Sequence, residues 1–243
     1  GGRVLIFNAE SGECVVQAGS RGKGAGQLQD PCGAAFNRHG ELYVSDTELH
    51  RIQVYDRDGQ YLRGFGVKGS RPGELNAPHG IAFNPGGDLV VADSSNHRVQ
   101  VFREDGTFVR CFGSIGPGDG NFMVLDSVAV GSDGNIVSLD FDGRVQVFDA
   151  FGTFLRSVGS KGEGPGHFSQ PLGVAVGAGG EILVADCERN DVQILTQQGR
   201  HVQTIGTEGH SRVELHGASG VAVDKNGRVF VGCNKTACVL LLS

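Results

Sequence analysis

Asp93-Ser94-Ser95-Asn96-His97-Arg98-Val99-Gln100-Val101-Phe102 is the stretch from which this chain is read. It joins an apolar run, Leu89-Val90-Val91-Ala92, to a strand rich in β-branched residues. Versions of it return at His50-Arg51-Ile52-Gln53-Val54-Tyr55, Gly143-Arg144-Val145-Gln146-Val147-Phe148 and Asn190-Asp191-Val192-Gln193-Ile194-Leu195. Weaker copies stand at Gly2-Arg3-Val4-Leu5-Ile6-Phe7 and Thr236-Ala237-Cys238-Val239-Leu240-Leu241. Turn glycines measure the period. Gly40, Gly87, Gly134, Gly180 and Gly227 are separated by 47, 47, 46 and 47 residues, and Gly12, Gly59, Gly106, Gly152 and Gly199 keep the same intervals. A unit of that length made of several short strands signals a propeller or a related array.

One unit read in order gives four strands. Gly80-Ile81-Ala82-Phe83 is the first, turned by Asn84-Pro85-Gly86-Gly87. Leu89-Val90-Val91-Ala92 is the second, and its unbroken apolar character predicts burial on both faces. The third runs from Arg98 to Phe102. Glu104-Asp105-Gly106 then makes a tight hairpin, with glycine supplying a positive φ. Thr107-Phe108-Val109-Arg110-Cys111-Phe112 is the fourth, where alternation predicts half exposure. A Gly-rich link, Gly116-Pro117-Gly118-Asp119-Gly120, leads onward, and no helix is predicted. First strands are expected at 32–36, 79–83, 126–130, 172–176 and 219–223, around a central channel. The whole chain offers twenty-one strands. That is one more than five four-stranded blades need and three fewer than six need.

Composition agrees with an all-β unit: 41 Gly, no Trp and 39% hydrophobic residues. No apolar run reaches the length of a membrane-spanning helix, and no signal peptide is expected, since Arg3 and Asn8 bracket only a short apolar run. A net charge of −6 argues against a generally nucleic-acid-seeking chain. The six cysteines, Cys14, Cys32, Cys111, Cys187, Cys233 and Cys238, show no CxxC spacing and read as reduced thiols of a cytosolic protein.

Asn96-His97-Arg98 feeding Val99-Gln100-Val101-Phe102 resembles the NHL repeat, which takes its name from those three residues. The resemblance extends over essentially the whole chain. It implies an all-β NHL β-propeller of four-stranded blades, six-bladed as in the family and incomplete here, with five blades as the alternative. Residues 1–243 then form a single propeller, with repeats at 30–76, 77–123, 124–169 and 170–216 and partial repeats at 1–29 and 217–243. Among TRIM-NHL proteins the propeller follows RING, B-box and coiled-coil segments and recruits substrates or binds RNA. The resemblance therefore implies a cytoplasmic, non-catalytic module without a cofactor. It would bind a protein partner on the link-loop face, as the substrate-recruiting domain of a ubiquitin ligase whose chains associate through other segments. Sequence-specific binding of single-stranded RNA is the alternative, and a metal-dependent lyase or hydrolase at the channel mouth is a third reading.

The candidate residues divide these readings. Asp46, Asp93, Asp140 and Asp186 end the second strands, with Gly232 read in the last place. A ring of carboxylates could hold a cation, but capping a loop and pairing with Arg51, Arg98 or Arg144 is the preferred reading. Cys32, His79, Asp126, Leu172 and Ser219 precede the first strands at the expected channel mouth. Cys32, His79 and Asp126 are ligand types, yet one histidine in the ring falls short of the convergent set a catalytic metal needs. His50 and His97 read as loop-bonding residues, and Phe36, Phe83, Phe102 and Phe148 as core.

Departures from the repeat point to the partner. Phe141 takes a loop place that Thr47, Ser94, Cys187 and Cys233 are read as filling elsewhere, and its loop is one residue short. Met123 lies on the approach to it, and the last link is altered to Gly209-His210-Ser211-Arg212. An exposed aromatic beside arginines is the usual make-up of a hot spot. The expected patch centres on Phe141, Arg144 and Arg189, with Arg98 and Arg51 as further members. On that face acids outnumber bases, the opposite of what phosphate attraction requires.

Overall fold

The computed structural model describes residues 2–206, 214–236 and 238–242. The altered link at 209–212 and Ala237 lie outside the described residues. The chain divides into two compact units, residues 1–111 and 112–243.

The first unit opens with a two-stranded pair, Val4–Phe7 and Cys14–Ala18. A four-stranded antiparallel sheet follows: Pro31–Phe36, Leu42–Asp46, Arg51–Tyr55 and Tyr61–Phe65. The next sheet is Pro78–Phe83, Leu89–Asp93, Arg98–Phe102 and Phe108–Phe112, its last residue crossing the unit boundary. In the second unit one sheet holds Leu125–Val130, Ile136–Asp140, Val145–Phe148 and Phe154–Lys161, with His167–Phe168 added in parallel. Another holds Pro171–Val176, Ile182–Asp186, Asp191–Leu195 and His201–Ile205. The last holds Ala218–Val223, Val229–Cys233 and Cys238–Leu242. Five sheets thus begin on a first strand, matching the five-blade alternative rather than the six-blade expectation, and all five expected first strands form. Among the described residues the fold is all-β, with one 3-10 turn, Ser94–Asn96. Among the described residues no helix is long and apolar enough to cross a membrane.

Each complete repeat buries every residue of its second strand, as its apolar run requires. Each link then presses one apolar side chain inward: Leu28, Leu75, Phe122 and Phe168 are fully buried. The glycine opening the link lies against that side chain. A Cβ on Gly66, at φ +96°, would come within 2.8 Å of Leu75 Cδ1. Glycine is therefore required at this place by close packing and a left-handed backbone.

Two expectations are corrected. Phe36 is 52% exposed and is not the core residue read from the sequence, whereas Phe83, half-buried, packs against the core and meets Tyr43 edge-on at 4.9 Å. Phe102 and Phe148 are buried as expected. In the last repeat the aspartate place belongs to Cys233 and not to Gly232. Cys233 pairs with Ala218 as Asp46 pairs with Pro31, Asp140 with Leu125 and Asp186 with Pro171.

Candidate functional site

The repeated motif residues build the loops before anything can bind them. The glutamine of Val-Gln-Val is buried in all four repeats. Gln100 donates to the Glu74 carbonyl at 2.6 Å and accepts the Gly73 amide at 3.0 Å. Gln146 does the same with Asn121 and Gly120, and Gln193 with His167 and Gly166. A buried amide that satisfies one donor and one acceptor of the link fixes that link to the third strand. The aspartate holds the next residues. Met123 and Val124 donate their amides to Asp140 at 3.2 and 3.1 Å, and Ser169 and Gln170 donate theirs to Asp186 at 2.6 and 3.1 Å. Burial pushes the Asp140 carboxyl above its ordinary value, while the Arg144 bond and the Met123 amide pull it down.

The arginines complete the clamp. Arg51 donates to the Gly24 and Gln27 carbonyls at 2.9 and 2.7 Å. Arg98 binds the Ser70, Arg71 and Glu74 carbonyls and Asp93. Arg144 reaches the Gly116, Pro117, Gly118 and Asn121 carbonyls and pairs with Asp140 at 2.7 Å. Their side chains are only 20%, 12% and 16% exposed. In the fourth repeat Asp191 stands opposite Asp186, in the arginine's place, and Arg189 supplies the cation from two residues earlier at 3.0 Å. Burial raises the Asp191 carboxyl, Arg189 lowers it and Asp186 raises it further. The expected patch arginines thus have their guanidiniums turned to the scaffold.

Phe141 is placed differently. Its amide donates to the Val124 carbonyl at 3.0 Å, and the Asp140 amide closes a tight turn onto the Arg144 carbonyl at 2.9 Å. Gly143, at φ +88°, lets the turn sit against the link, since a Cβ there would meet the Phe168 carbonyl at 3.0 Å. The ring is 41% exposed, beside Met123 at 40% and Val124 at 49%. Other repeats carry Gln29, Asp30 and Thr47, or Asn76, Ala77 and Ser94, or Ser169, Gln170 and Cys187 in these places. Ile115, which bridges to Phe122 next to Met123, is 66% exposed where Arg21, Lys68 and Lys161 stand elsewhere. Four places on the link into the third repeat and on that repeat's loop have therefore turned apolar, with Asp119 and Asp142 exposed on the same two loops.

Ile115 and Val124 are additions to the expected patch, and Phe151, 79% exposed on a hairpin tip where Asp58 and Asp105 stand in other repeats, is an exposed aromatic outside it. Comparing repeats place by place, as for Phe141, would have found all three. Of the metal-ligand candidates, Cys32 is exposed and Asp126 half-buried, while the His79 carbonyl accepts the Ser45 hydroxyl at 2.6 Å. Among the described residues no cluster of three or more His, Cys, Asp or Glu could hold a metal. His50 behaves as a loop residue: its Nδ1 accepts the Ala77 amide at 2.9 Å from a left-handed backbone, φ +53°.

The family model described as NHL repeat matches residues 28–55, 75–102 and 168–195. The chain carries NHL repeats, and the matched stretches leave out the third repeat's loops. The B-box type zinc finger protein ncl-1 of Caenorhabditis elegans is 37% identical over 57 residues, 24% of this chain and 6% of its own length. Protein brain tumor of Drosophila melanogaster is 34% identical over 62 residues, 26% of this chain and 5% of its own. The match thus spans a small fraction of either relative. Among solved structures, a nidogen/laminin complex chain aligns with TM-score 0.69 at 19% identity, covering 88% of this chain and 75% of that one. A streptogramin B lyase aligns with TM-score 0.63 at 14% identity, covering 89% and 69%. Identities this low establish the fold alone.

Proposed function

We propose that this domain is a non-catalytic recognition module that binds a protein segment on the link into its third repeat and the loop after that repeat's second strand. One observation carries the reading: four loop places, Ile115, Met123, Val124 and Phe141, are apolar and exposed where the other repeats are mostly polar or basic. Residues every repeat needs are explained by the scaffold, whereas these are not. Exposed apolar clusters with a polar edge are the usual signature of an interaction site. Asp119 and Asp142 on the same two loops select an occupant that is apolar at its centre and basic beside it. Arg144 and Arg189 hold the loops that present the patch, and Arg51 and Arg98 hold the equivalent loops of the first unit.

In this reading the module acts in the cytoplasm and brings a substrate to a ubiquitin ligase of which it is one part. The NHL repeats and the two partial relatives support that placement. The test is selection from a displayed random-peptide library on the purified protein. Enriched peptides should be apolar with a basic flank, and Phe141→Ser or Met123→Gln should abolish the enrichment. Binding of single-stranded RNA that weakens steeply with salt, and is lost on Arg→Glu changes in the loops, would replace this reading with the RNA one. Turnover of a substrate by a stoichiometrically metal-loaded protein would replace it with the lyase reading.

A further inference from the structure

In the first two repeats the residues that close the loop after the second strand face each other as an aspartate and an arginine. Asp46 is in register with Arg51 and Asp93 with Arg98, and Arg98 Nε lies 2.8 Å from Asp93. The third repeat keeps the pair as Asp140 and Arg144. In the last repeat the same two places hold Cys233 and Cys238, directly opposite each other on antiparallel strands. We propose that Cys233 and Cys238 form a reversible disulfide that takes over the clamp the first three repeats build from an ion pair.

The geometry suits that bond. Residues directly opposite on antiparallel strands have Cα atoms about 4.5–5.5 Å apart, inside the window of about 4.4–6.8 Å that disulfides occupy. Both thiols are free in this structure. They differ in access: Cys233 is 3% exposed, while Cys238 is half-buried and has the Thr236 hydroxyl 3.1 Å from its sulfur. Burial pushes the Cys233 thiol up, the Cys238 thiol adds to the shift, and the His216 amide opposes it. Cys238 is therefore the entry point. Its thiolate attacks one sulfur of a small-molecule disulfide and expels the first thiolate. Cys233 then gives its proton to water and attacks Cys238 Sγ, expelling the second. Two protein thiols are oxidised to one disulfide, and one small disulfide is reduced to two thiols.

The test treats the intact chain with oxidised glutathione at neutral pH, blocks free thiols with iodoacetamide and digests it with trypsin without reduction. Cleavage after Arg228 and Lys235 puts the two cysteines on different peptides, 229–235 and 236–243. The expected result is those peptides joined, lighter by two hydrogens than their sum, and separated again by dithiothreitol. Cys233→Ser should stop the reaction at a mixed disulfide between Cys238 and glutathione. Cys238→Ser should leave Cys233 unmodified under the same conditions. Cys238 carrying glutathione in the unaltered chain, a bond from either cysteine to Cys187, or full alkylation of both would each overturn the proposal.

Discussion

Replacing Phe141 by serine removes the centre of the proposed patch while giving the loop the residue type that Ser94 and Thr47 supply in other repeats. The ring is 41% exposed. For an aromatic side chain of about 200 Å², that leaves about 80 Å² for a partner to cover. At about 25 cal/mol per Å² the covered area contributes about 2 kcal/mol. Serine should therefore raise Kd by about 30-fold. Fluorescence anisotropy of a labelled peptide from the library selection reads this directly, and a thermal melt of the same variant reads the fold. Phe151→Ser is the control, because that ring is more exposed, at 79%, but stands on a hairpin tip outside the patch. An unchanged Kd for Phe141→Ser refutes the reasoning. So does an equal loss for Phe151→Ser, which would show that any exposed aromatic serves. A Kd that rises only in proportion to lost folded protein would make Phe141 a packing residue.

Gln100→Leu should destabilise the fold by about 1–3 kcal/mol in urea unfolding, because the half-buried Gly73 amide loses its acceptor; an effect near zero would remove the glutamine from the scaffold. Gly143→Ala should cost more than Gly12→Ala, about 1–3 kcal/mol against about 1, since both have positive φ but only Gly143 has backbone where a Cβ would go. His50 gives a pH dependence. Burial first, then Lys68, lowers its pKa, so the unfolded chain binds the proton more readily. The stability it contributes is complete above the unfolded value of about 6.5 and is lost as pH falls towards the lowered folded value. His50→Asn should flatten that acid-side loss below neutral pH. Asn190 already performs the same task from φ +56°, accepting the Gly217 amide at 2.7 Å.

The scaffold was legible because every repeat has to solve the same problem with the same residues. The glycine period located all five first strands, and the unbroken apolar runs located strands buried on both faces. In the last repeat the expected aspartate place and the observed one differ by one residue. Cys233 stands six residues after Gly227, as Asp46, Asp93, Asp140 and Asp186 stand six after their own turn glycines, but the apolar run there ends ambiguously in Val-Gly-Cys. Phe36 is exposed for a longer-range reason. Its equivalent Phe83 is covered by Tyr43 from the preceding sheet's second strand. Within the first unit the sheet before Phe36 has only Val4–Phe7 and Cys14–Ala18, third- and fourth-type strands.

The arginines show where reading residues one at a time stops and reading the fold begins. A guanidinium beside an aromatic in the sequence has the make-up of a hot spot. The carbonyls that Arg144 satisfies belong to residues 23 to 28 positions earlier, and no local pattern announces that they converge on it. A planar fork with several donors suits that work better than it suits an exposed contact, because each link leaves several carbonyls pointing at one spot. The aromatic is the opposite case. A scaffold carbonyl needs a donor in every repeat, so a scaffold residue recurs. Ile115, Met123, Val124 and Phe141 satisfy no link carbonyl with their side chains, so nothing in the scaffold makes them recur, and they stand out only when the loops of the repeats are laid over one another. That asymmetry is why the binding reading rests on Ile115, Met123, Val124 and Phe141, and why the arginines belong to the frame that holds them out.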